Sequence, residues 1–154
     1  MLGYILGVST INQDAFFSKF ITMFASVHRL THDLTQDANL KDVTQVQYKI
    51  LEYIYINEPV TISEISDCQY ISMPNTSREI KKLMEKQLVE KHADFTDRRK
   101  QYISLSHLGT NIMDEIFKII KKRFLQHIKE ISKEDIMEID NALNTLQQKL
   151  LNRI

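Results

Sequence analysis

Two apolar seams, one near each end of the chain, constrain this sequence more than any other feature. Near the amino end, large apolar residues recur at spacings of four and three, and Phe17 and Phe24 widen the seam. The recurring residues there are Phe16, Phe20, Met23, Val27, Leu30 and Leu34. The corresponding residues near the carboxyl end are Ile136, Ile139, Leu143, Leu146 and Leu150. Helices with such stripes must bury them, so we expect the terminal helices to pack on those of a second copy.

Composition restricts the class of fold and its location. Of 154 residues, 43% are hydrophobic and 26% are charged, which is typical of a globular chain. Three glycines and two prolines are too few for the many tight turns of a β-sandwich or barrel. The sequence has no apolar run of about 18 residues, and its apolar opening lacks the basic segment of a signal peptide. We therefore expect a cytoplasmic protein that has no membrane partner.

Between the seams, capping residues mark the starts of three shorter helices. A threonine that is followed three residues later by glutamine or glutamate forms a capping box. The boxes are Thr44 with Gln47, and Thr61 with Glu64. The helix after the second box is predicted to span about residues 62–69, and the next begins at Ser72, with Pro74 tolerated in its first turn.

The helix after Ser72 has an apolar side and a basic side. Its predicted buried stripe consists of Ser77, Ile80, Leu83 and Met84. This stripe leaves a polar, basic face toward solvent, formed by Asn75, Arg78, Lys81, Lys82 and Glu85. A short helix followed by a helix with a basic face is the arrangement of a helix-turn-helix.

A hairpin and two further helices are predicted after this motif. Strand-like segments at 89–93 and 101–105 flank the charged stretch "DFTDRRK" at 94–100. Ser106 and Ser132 are suited to cap the fifth and sixth helices. The first helix is expected over about residues 12–34.

Positive charge is concentrated in the middle of the chain. The formal net charge is zero, but residues 71–100 contain eight basic and five acidic residues. A local basic patch is what contacts to nucleic-acid phosphates require. Charge alone leaves open that this surface is simply a solvated face.

Signals for enzymatic or metal sites are weak. The sequence has no glycine-rich phosphate loop and no serine–histidine–aspartate signature. His28 and His32 are one helical turn apart and could chelate a metal, but the fifth helix lacks a second pair. The single cysteine, Cys68, excludes an internal disulfide and is interpreted as packing. We expect no enzyme activity, no cofactor and no metal.

The central residues resemble the winged helix-turn-helix core of the MarR (multiple antibiotic resistance) regulators. Residues 62–109 carry the resemblance, and the family's wing pattern is in register throughout. That pattern is matched by Asp97, Arg99, Leu105, Ser106 and Gly109. Gln87 departs from the pattern because the family usually has glycine at this helix end, so the turn there is expected to be shaped differently.

The resemblance implies a mainly α (α+β) fold of six helices, with a winged helix-turn-helix core and a helical dimerisation region. It implies a single domain over residues 1–154, with a DNA-binding region at 44–105 and dimerisation helices at 1–36 and 106–154. The implied function is a homodimeric, sequence-specific transcriptional regulator, most often a repressor, that leaves a palindromic operator on DNA when a small molecule binds it.

Several of the candidate DNA-contacting residues can be assigned a specific contact from their chemistry. Arg78 can pair with guanine and Asn75 with adenine from the end of the helix that enters the major groove. Arg99 is suited to a narrow minor groove, with Asp97 bracing it and Arg98 reaching phosphate. The complete set is Ser72, Pro74, Asn75, Thr76, Ser77, Arg78, Lys81, Lys82, Asp97, Arg98, Arg99 and Lys100.

An effector site and a second function class remain open. Phe17, Phe24, Tyr48 and Tyr53 could line a cavity for a small apolar or phenolic effector, although aromatic residues at helical spacing also form plain core. The alternative function is a winged-helix module that binds protein and not DNA. The basic face of the helix after Ser72 disfavours that alternative.

Overall fold

The computed structural model describes residues 12–36, 42–94 and 100–153. The chain divides into two compact units, residues 1–39 and residues 40–154. Among the described residues, no helix combines the length and the apolar character that crossing a membrane requires.

The first unit contains one long helix, α1 (Gln13–Thr35). It begins at Asn12, whose Oδ1 accepts the backbone N–H groups of Asp14 and Ala15 at 3.0 and 3.2 Å. The predicted helix and its start are confirmed. Most large apolar side chains of its seam are exposed in the single chain, so α1 carries an apolar stripe that a further surface could cover.

The second unit begins with three helices, α2 (Gln45–Asn57), α3 (Ile62–Gln69) and α4 (Met73–Glu85). Both predicted capping boxes, at the starts of α2 and α3, are confirmed. In each box the threonine hydroxyl accepts a backbone N–H at 3.2 Å, and the partner side chain accepts the threonine N–H in return. Ser72 precedes α4 as predicted, but its hydroxyl makes no capping hydrogen bond. Local side-chain chemistry therefore fixes the starts of α2 and α3.

A three-stranded antiparallel sheet has the order β1–β3–β2, with β1 (Val60–Thr61), β2 (Val89–Ala93) and β3 (Gln101–Leu105). The two longer strands have the predicted bounds and pair from Val89 opposite Leu105 to Ala93 opposite Gln101. The two-residue β1 was not predicted, because a segment this short shows no alternation of apolar and polar residues.

Two further helices complete the unit, α5 (His107–His127) and α6 (Lys133–Lys149), and a 3₁₀ turn follows at Leu151–Arg153. Ser106 and Ser132 cap them as predicted, each hydroxyl accepting a backbone N–H three residues on, at 2.9 and 3.0 Å. Both helices leave large apolar side chains exposed around a shallow cavity of about 250 Å³. We call this region the α5–α6 apolar surface; its residues are Phe124, Ile128, Ile131, Ile136, Ile139 and Leu143.

The buried core of the second unit joins the helix-turn-helix to the sheet and to α5. Its fully enclosed or nearly enclosed apolar side chains come from all of these elements. They include Ile50, Leu51, Ile54, Ile65, Ile80, Leu83, Val89, Ile103 and Met113. Because α4 and the hairpin share this core, their relative positions are set by the same packing.

The start of α5 lies directly against the end of α4. The Ser106 N–H donates to the carbonyl oxygen of Leu88 at 3.1 Å, and the Ser106 hydroxyl donates to the carbonyl oxygen of Gln87 at 2.5 Å. A Cβ on Gly109 would lie 2.0 Å from the carbonyl oxygen of Leu88. Only glycine allows this approach, which is the physical reason for glycine at this point of the wing pattern.

The turn after α4 corrects the expectation made for Gln87. Its φ is 58°, in the left-handed region that glycine normally occupies, so the turn is not shaped differently. The Leu88 N–H donates to Leu83 O and the Gln87 N–H to Met84 O, both at 2.9 Å, which is the Schellman pattern of helix ends. The hydrogen bonds hold Gln87 in a conformation that is costly for a residue with a Cβ.

Replacing this residue by glycine is therefore expected to stabilise the protein. Gln87→Gly should raise the free energy of unfolding by about 0.5–1 kcal/mol, because glycine adopts the left-handed region without the Cβ penalty. Urea denaturation would measure the change. Glu85→Gly, on the exposed side of α4, is the control and should destabilise by about 1 kcal/mol. Equal changes of the same sign in both variants would contradict this interpretation.

Candidate nucleic-acid interface

A tight turn joins α3 to α4 and forms the centre of the helix-turn-helix. Tyr70 has φ 52° and ψ 38°, and the next N–H, of Ile71, donates to Ser66 O at 3.2 Å. The Ser66 hydroxyl donates to the carbonyl oxygen of Ile71 at 2.5 Å and closes the turn. The Tyr70 side chain is 96% exposed. The sequence indicated a link between the two helices at Tyr70 and Ile71, but neither the left-handed conformation of Tyr70 nor its exposure was predicted.

The outward face of α4 is as predicted. Asn75, Arg78, Lys81, Lys82 and Glu85 are all exposed. Exposure of this set follows from the burial of Ile80 and Leu83 on the opposite side. The first turn, with Ser72 and Pro74, is also exposed, so the amino end of α4 is accessible to a large partner.

The predicted buried stripe of α4 is wrong at three positions. Thr76 is 0% exposed, whereas Ser77 and Met84 are exposed. The Thr76 hydroxyl donates to the carbonyl oxygen of Ser72 at 3.1 Å, which satisfies it inside the core. The buried side chain of Thr76 cannot reach DNA, and the prediction of a contact there is corrected.

The cations of α4 differ in their partners. Among the described residues, the side chains of Arg78 and Lys81 make no hydrogen bond or ion pair. The Lys82 Nζ, in contrast, lies 2.7 Å from Glu79 Oε1. Hydrogen bonds from Lys82 and from Gln47 lower the pKa of the Glu79 carboxyl below its usual range. Within the described part of the chain, Arg78 and Lys81 are therefore free to meet an anion, while Lys82 already has one.

A buried glutamine connects α4 to the start of α2. Gln47 is 2% exposed; its Nε2 donates to Glu79 Oε2 at 2.8 Å, and its Oε1 accepts from Lys86 Nζ at 2.8 Å. The same ammonium donates to the carbonyl oxygen of Asp42. Gln47 thus both caps α2 and fixes the side of α4 that faces α2.

The hairpin contributes one candidate residue within the described part of the chain. Lys100 is exposed just before β3, and its carbonyl oxygen accepts the Asp94 N–H at 3.0 Å. Asp97, Arg98 and Arg99 lie outside the described residues. Their predicted roles at the tip of the hairpin stay predictions.

The four candidate effector residues fall in different units. Phe17 and Phe24 belong to the first unit, and Tyr48 and Tyr53 to the second. Burial, together with the Glu52 carboxylate, raises the pKa of Tyr48 to about 12, and burial raises the pKa of Glu52. The Tyr48 hydroxyl donates to Glu52 Oε1 over 3.4 Å, a long hydrogen bond.

The two weaker signals for a sensing role have different outcomes. Among the described residues, no group of three or more His, Cys, Asp or Glu side chains could hold a metal ion, and this part includes His28 and His32. Cys68 is exposed on α3, so its interpretation as buried packing is wrong. Cysteine is usually buried, and a general tendency of this kind does not determine which side of a short helix a given residue faces.

Comparison with known proteins gives a consistent result. A model of the MarR family matches residues 41–100. An HTH-type transcriptional regulator of Staphylococcus aureus strain MRSA252 is 25% identical over 138 residues, which cover 88% of this chain and 92% of that protein. The relatives that the chain resembles are named as transcriptional regulators.

Solved structures share the fold of this chain. Staphylococcus aureus MarR in complex with salicylate and kanamycin has a TM-score of 0.63 at 23% identity, covering 94% of this chain and 96% of that one. A Staphylococcus aureus MepR variant bound to an oligodeoxyribonucleotide has a TM-score of 0.54 at 20% identity, covering 87% and 97%. Likenesses at these identities concern the fold: helices with a small antiparallel sheet that forms a wing.

Proposed function

We propose that the chain is a DNA-binding transcriptional regulator of the MarR family, and that it is a homodimeric repressor that a small molecule releases from a palindromic operator. A model of that family matches residues 41–100, and a transcriptional regulator that is 25% identical covers 88% of the chain. The single observation that carries the proposal is the exposed face of α4, where Arg78 and Lys81 have no partner among the described residues. A helix with free cations at its surface, next to a hairpin, suits the major groove of DNA.

In this proposal, the exposed side chains near the amino end of α4 read the bases. Arg78 donates to guanine O6 and N7, and Asn75 pairs with adenine. Lys81, Ser72, Ser77 and the turn at Pro74 approach the phosphate backbone, which fixes position without reading sequence. The exposure of Ser77 supports a phosphate contact better than the core position that its spacing suggested.

The hairpin is proposed to act as a wing on the adjacent minor groove. Arg99 enters the groove, where narrow A·T-rich tracts concentrate negative potential. Asp97 braces Arg99 by a charged hydrogen bond. Arg98 and Lys100 contact phosphates and contribute affinity that does not depend on sequence.

Dimerisation would place the DNA-binding region of each protomer on one of two half-sites. We assign residues 44–105 to DNA binding within a single domain of residues 1–154, and residues 1–36 and 106–154 to the dimer interface. The exposed seam of α1 and the α5–α6 apolar surface support this assignment, because stripes of this width are unfavourable in water. A two-fold dimer matches a palindromic operator.

The effector is proposed to be small and apolar or phenolic. Its candidate contacts are Phe17 and Phe24 in the first unit and Tyr48 and Tyr53 in the second. The half-buried phenol of Tyr48 supports this, since its ring offers an apolar surface and its hydroxyl oxygen, which donates to Glu52, can still accept a hydrogen bond. Salicylate, found in the complex of Staphylococcus aureus MarR, belongs to this class of molecule.

The DNA-binding function can be tested through Arg78. Arg78→Ala should cost about 1–3 kcal/mol on the preferred operator and relax the preference at one position in each half-site. Selection of duplexes from a random pool, followed by fluorescence anisotropy titrations, measures both effects. Lys81→Ala is the control and should weaken all sequences alike, lowering the salt slope by about one.

The same experiments also separate the two functions considered for this chain, DNA binding and protein binding. Failure of the wild-type protein to select any duplex sequence would sink the proposal in favour of a protein-binding module. An equal loss on all duplexes for Arg78→Ala would remove Arg78 from base readout while leaving DNA binding intact.

A further inference from the structure

Lys82 lies on the exposed face of α4 but is bound to an acidic residue of its own helix. Its Nζ is 2.7 Å from Glu79 Oε1, and the side chains of Lys82 and Glu79 are 55% and 19% exposed. The Lys82 side chain is thus about half exposed, whereas the Glu79 side chain is mostly covered. The two partners differ in their freedom to move.

The carboxylate of Glu79 is also held from the side of α2. Gln47 donates to its second oxygen at 2.8 Å, and Gln47 is itself fixed by Lys86 and by the capping box with Thr44. Glu79 therefore cannot follow Lys82 toward a partner in solvent. If Lys82 moves to a phosphate, it must leave Glu79 behind.

We propose that Glu79 competes with the DNA backbone for Lys82 and so limits the number of phosphate contacts that α4 makes. The inference rests on the proposed DNA-binding function and deepens it. Arg78 and Lys81 meet DNA directly, whereas Lys82 gains a phosphate only by losing its carboxylate. Because exposed ion pairs are weak, the competition lowers affinity by a factor of about two to five.

The test uses the full-length protein in four forms: wild type, Glu79→Gln, Lys82→Gln and the double variant. The glutamine that Glu79→Gln introduces keeps a carbonyl oxygen for Gln47 but no longer attracts the ammonium of Lys82. Dissociation constants are measured by fluorescence anisotropy on a selected operator and on an unrelated duplex, across a series of salt concentrations. Thermal unfolding of each variant establishes that it is folded at the assay temperature.

Competition predicts a non-additive result. Lys82→Gln should weaken binding by less than about two-fold in the wild-type background and by about five-fold in the Glu79→Gln background. Glu79→Gln alone should tighten binding to both duplexes and steepen the salt slope by about one phosphate contact. Lys82→Gln should remove that gain.

A matched control separates competition from the simple loss of a negative charge. Glu85 is exposed on the same helix, and its side chain has no hydrogen bond or ion pair among the described residues. Glu85→Gln therefore removes the same charge without releasing a lysine. An equal effect of Lys82→Gln in both backgrounds, or equal gains from Glu79→Gln and Glu85→Gln, would overturn the inference while DNA binding stood. Absence of any duplex binding by the wild type would overturn both.

If Glu79→Gln is not folded at the assay temperature, Glu79→Asp serves in its place. The shorter side chain keeps the charge but draws it back from Lys82. Tighter binding that depends on Lys82 supports competition, and unchanged binding contradicts it.

Discussion

Gly109→Ala is expected to lower the free energy of unfolding by about 3 kcal/mol or more, at the upper end of overpacking effects. The added Cβ would lie 2.0 Å from the carbonyl oxygen of Leu88 and 3.0 Å from its carbonyl carbon. Both are backbone atoms, so no side-chain rotation can relieve the clash. Relief requires α5 to move away from the end of α4, which breaks the hydrogen bonds of Ser106 to Gln87 and Leu88.

Thermal unfolding measures this effect, and a decrease of roughly 6–12 °C in Tm corresponds to it for a chain of this length. Asn111→Ala is the control on the same helix: its side chain is exposed, and the change should be within about 0.5 kcal/mol. A Gly109→Ala variant as stable as wild type would mean that the start of α5 can be displaced without cost.

Leu143→Glu is expected to abolish dimerisation while leaving the protomer folded. Leu143 is 59% exposed in the single chain, so a charge there costs the protomer little. In a two-fold dimer whose interface includes α6, the change occurs twice. Each lost leucine contact costs about 1.5–3 kcal/mol, so the dimer dissociation constant should rise by more than about a hundred-fold.

Sedimentation velocity would measure the association, and circular dichroism would report on the fold of the protomer. Operator affinity should fall when dimerisation is lost, because a monomer engages one half-site only. Asn141→Glu, on the polar side of α6, is the matched control and should leave the dimer intact. Persistence of the dimer in Leu143→Glu would exclude this stripe from the interface.

Helix starts could be predicted from the sequence because capping is local. Thr44 with Gln47 and Thr61 with Glu64 contain, within four residues, all the atoms that cap the helix. The bounds of β3 followed from its alternation, and the charged stretch between the two strands separated β2 from β3. Local chemistry of this kind depends little on the rest of the fold.

The rotation of α4 could not be predicted at the same accuracy. Ile80 and Leu83 are compatible with either Thr76 or Ser77 on the buried side, since one lies four and the other three residues before Ile80. Both are short hydroxyl residues with little difference in apolar area. The choice depends on the core against which α4 packs and on the hydrogen bond that Thr76 makes to Ser72.

The polar contacts of the candidate site could be predicted from the sequence only in part. The spacing of Glu79 and Lys82 permits an ion pair, and sequence reasoning overlooked it. The contact of Glu79 with Gln47 joins residues 32 positions apart, so no local pattern indicates it. Sequence correctly located the basic surface but could not say which of its charges were already neutralised.

The narrow buried stripe of α4 has a consequence for how such a protein can diverge. Only Thr76, Ile80 and Leu83 of this helix are enclosed, and they form one line along it. The side chains at Asn75, Arg78 and Lys81 belong to none of the core contacts. In the proposed mode of binding, gene duplicates that exchange the two base-reading residues, Asn75 and Arg78, would acquire new operators without loss of folding stability. In that mode of binding, stability and target choice depend on separate positions of one helix, and natural variation can change the second while the first stays the same.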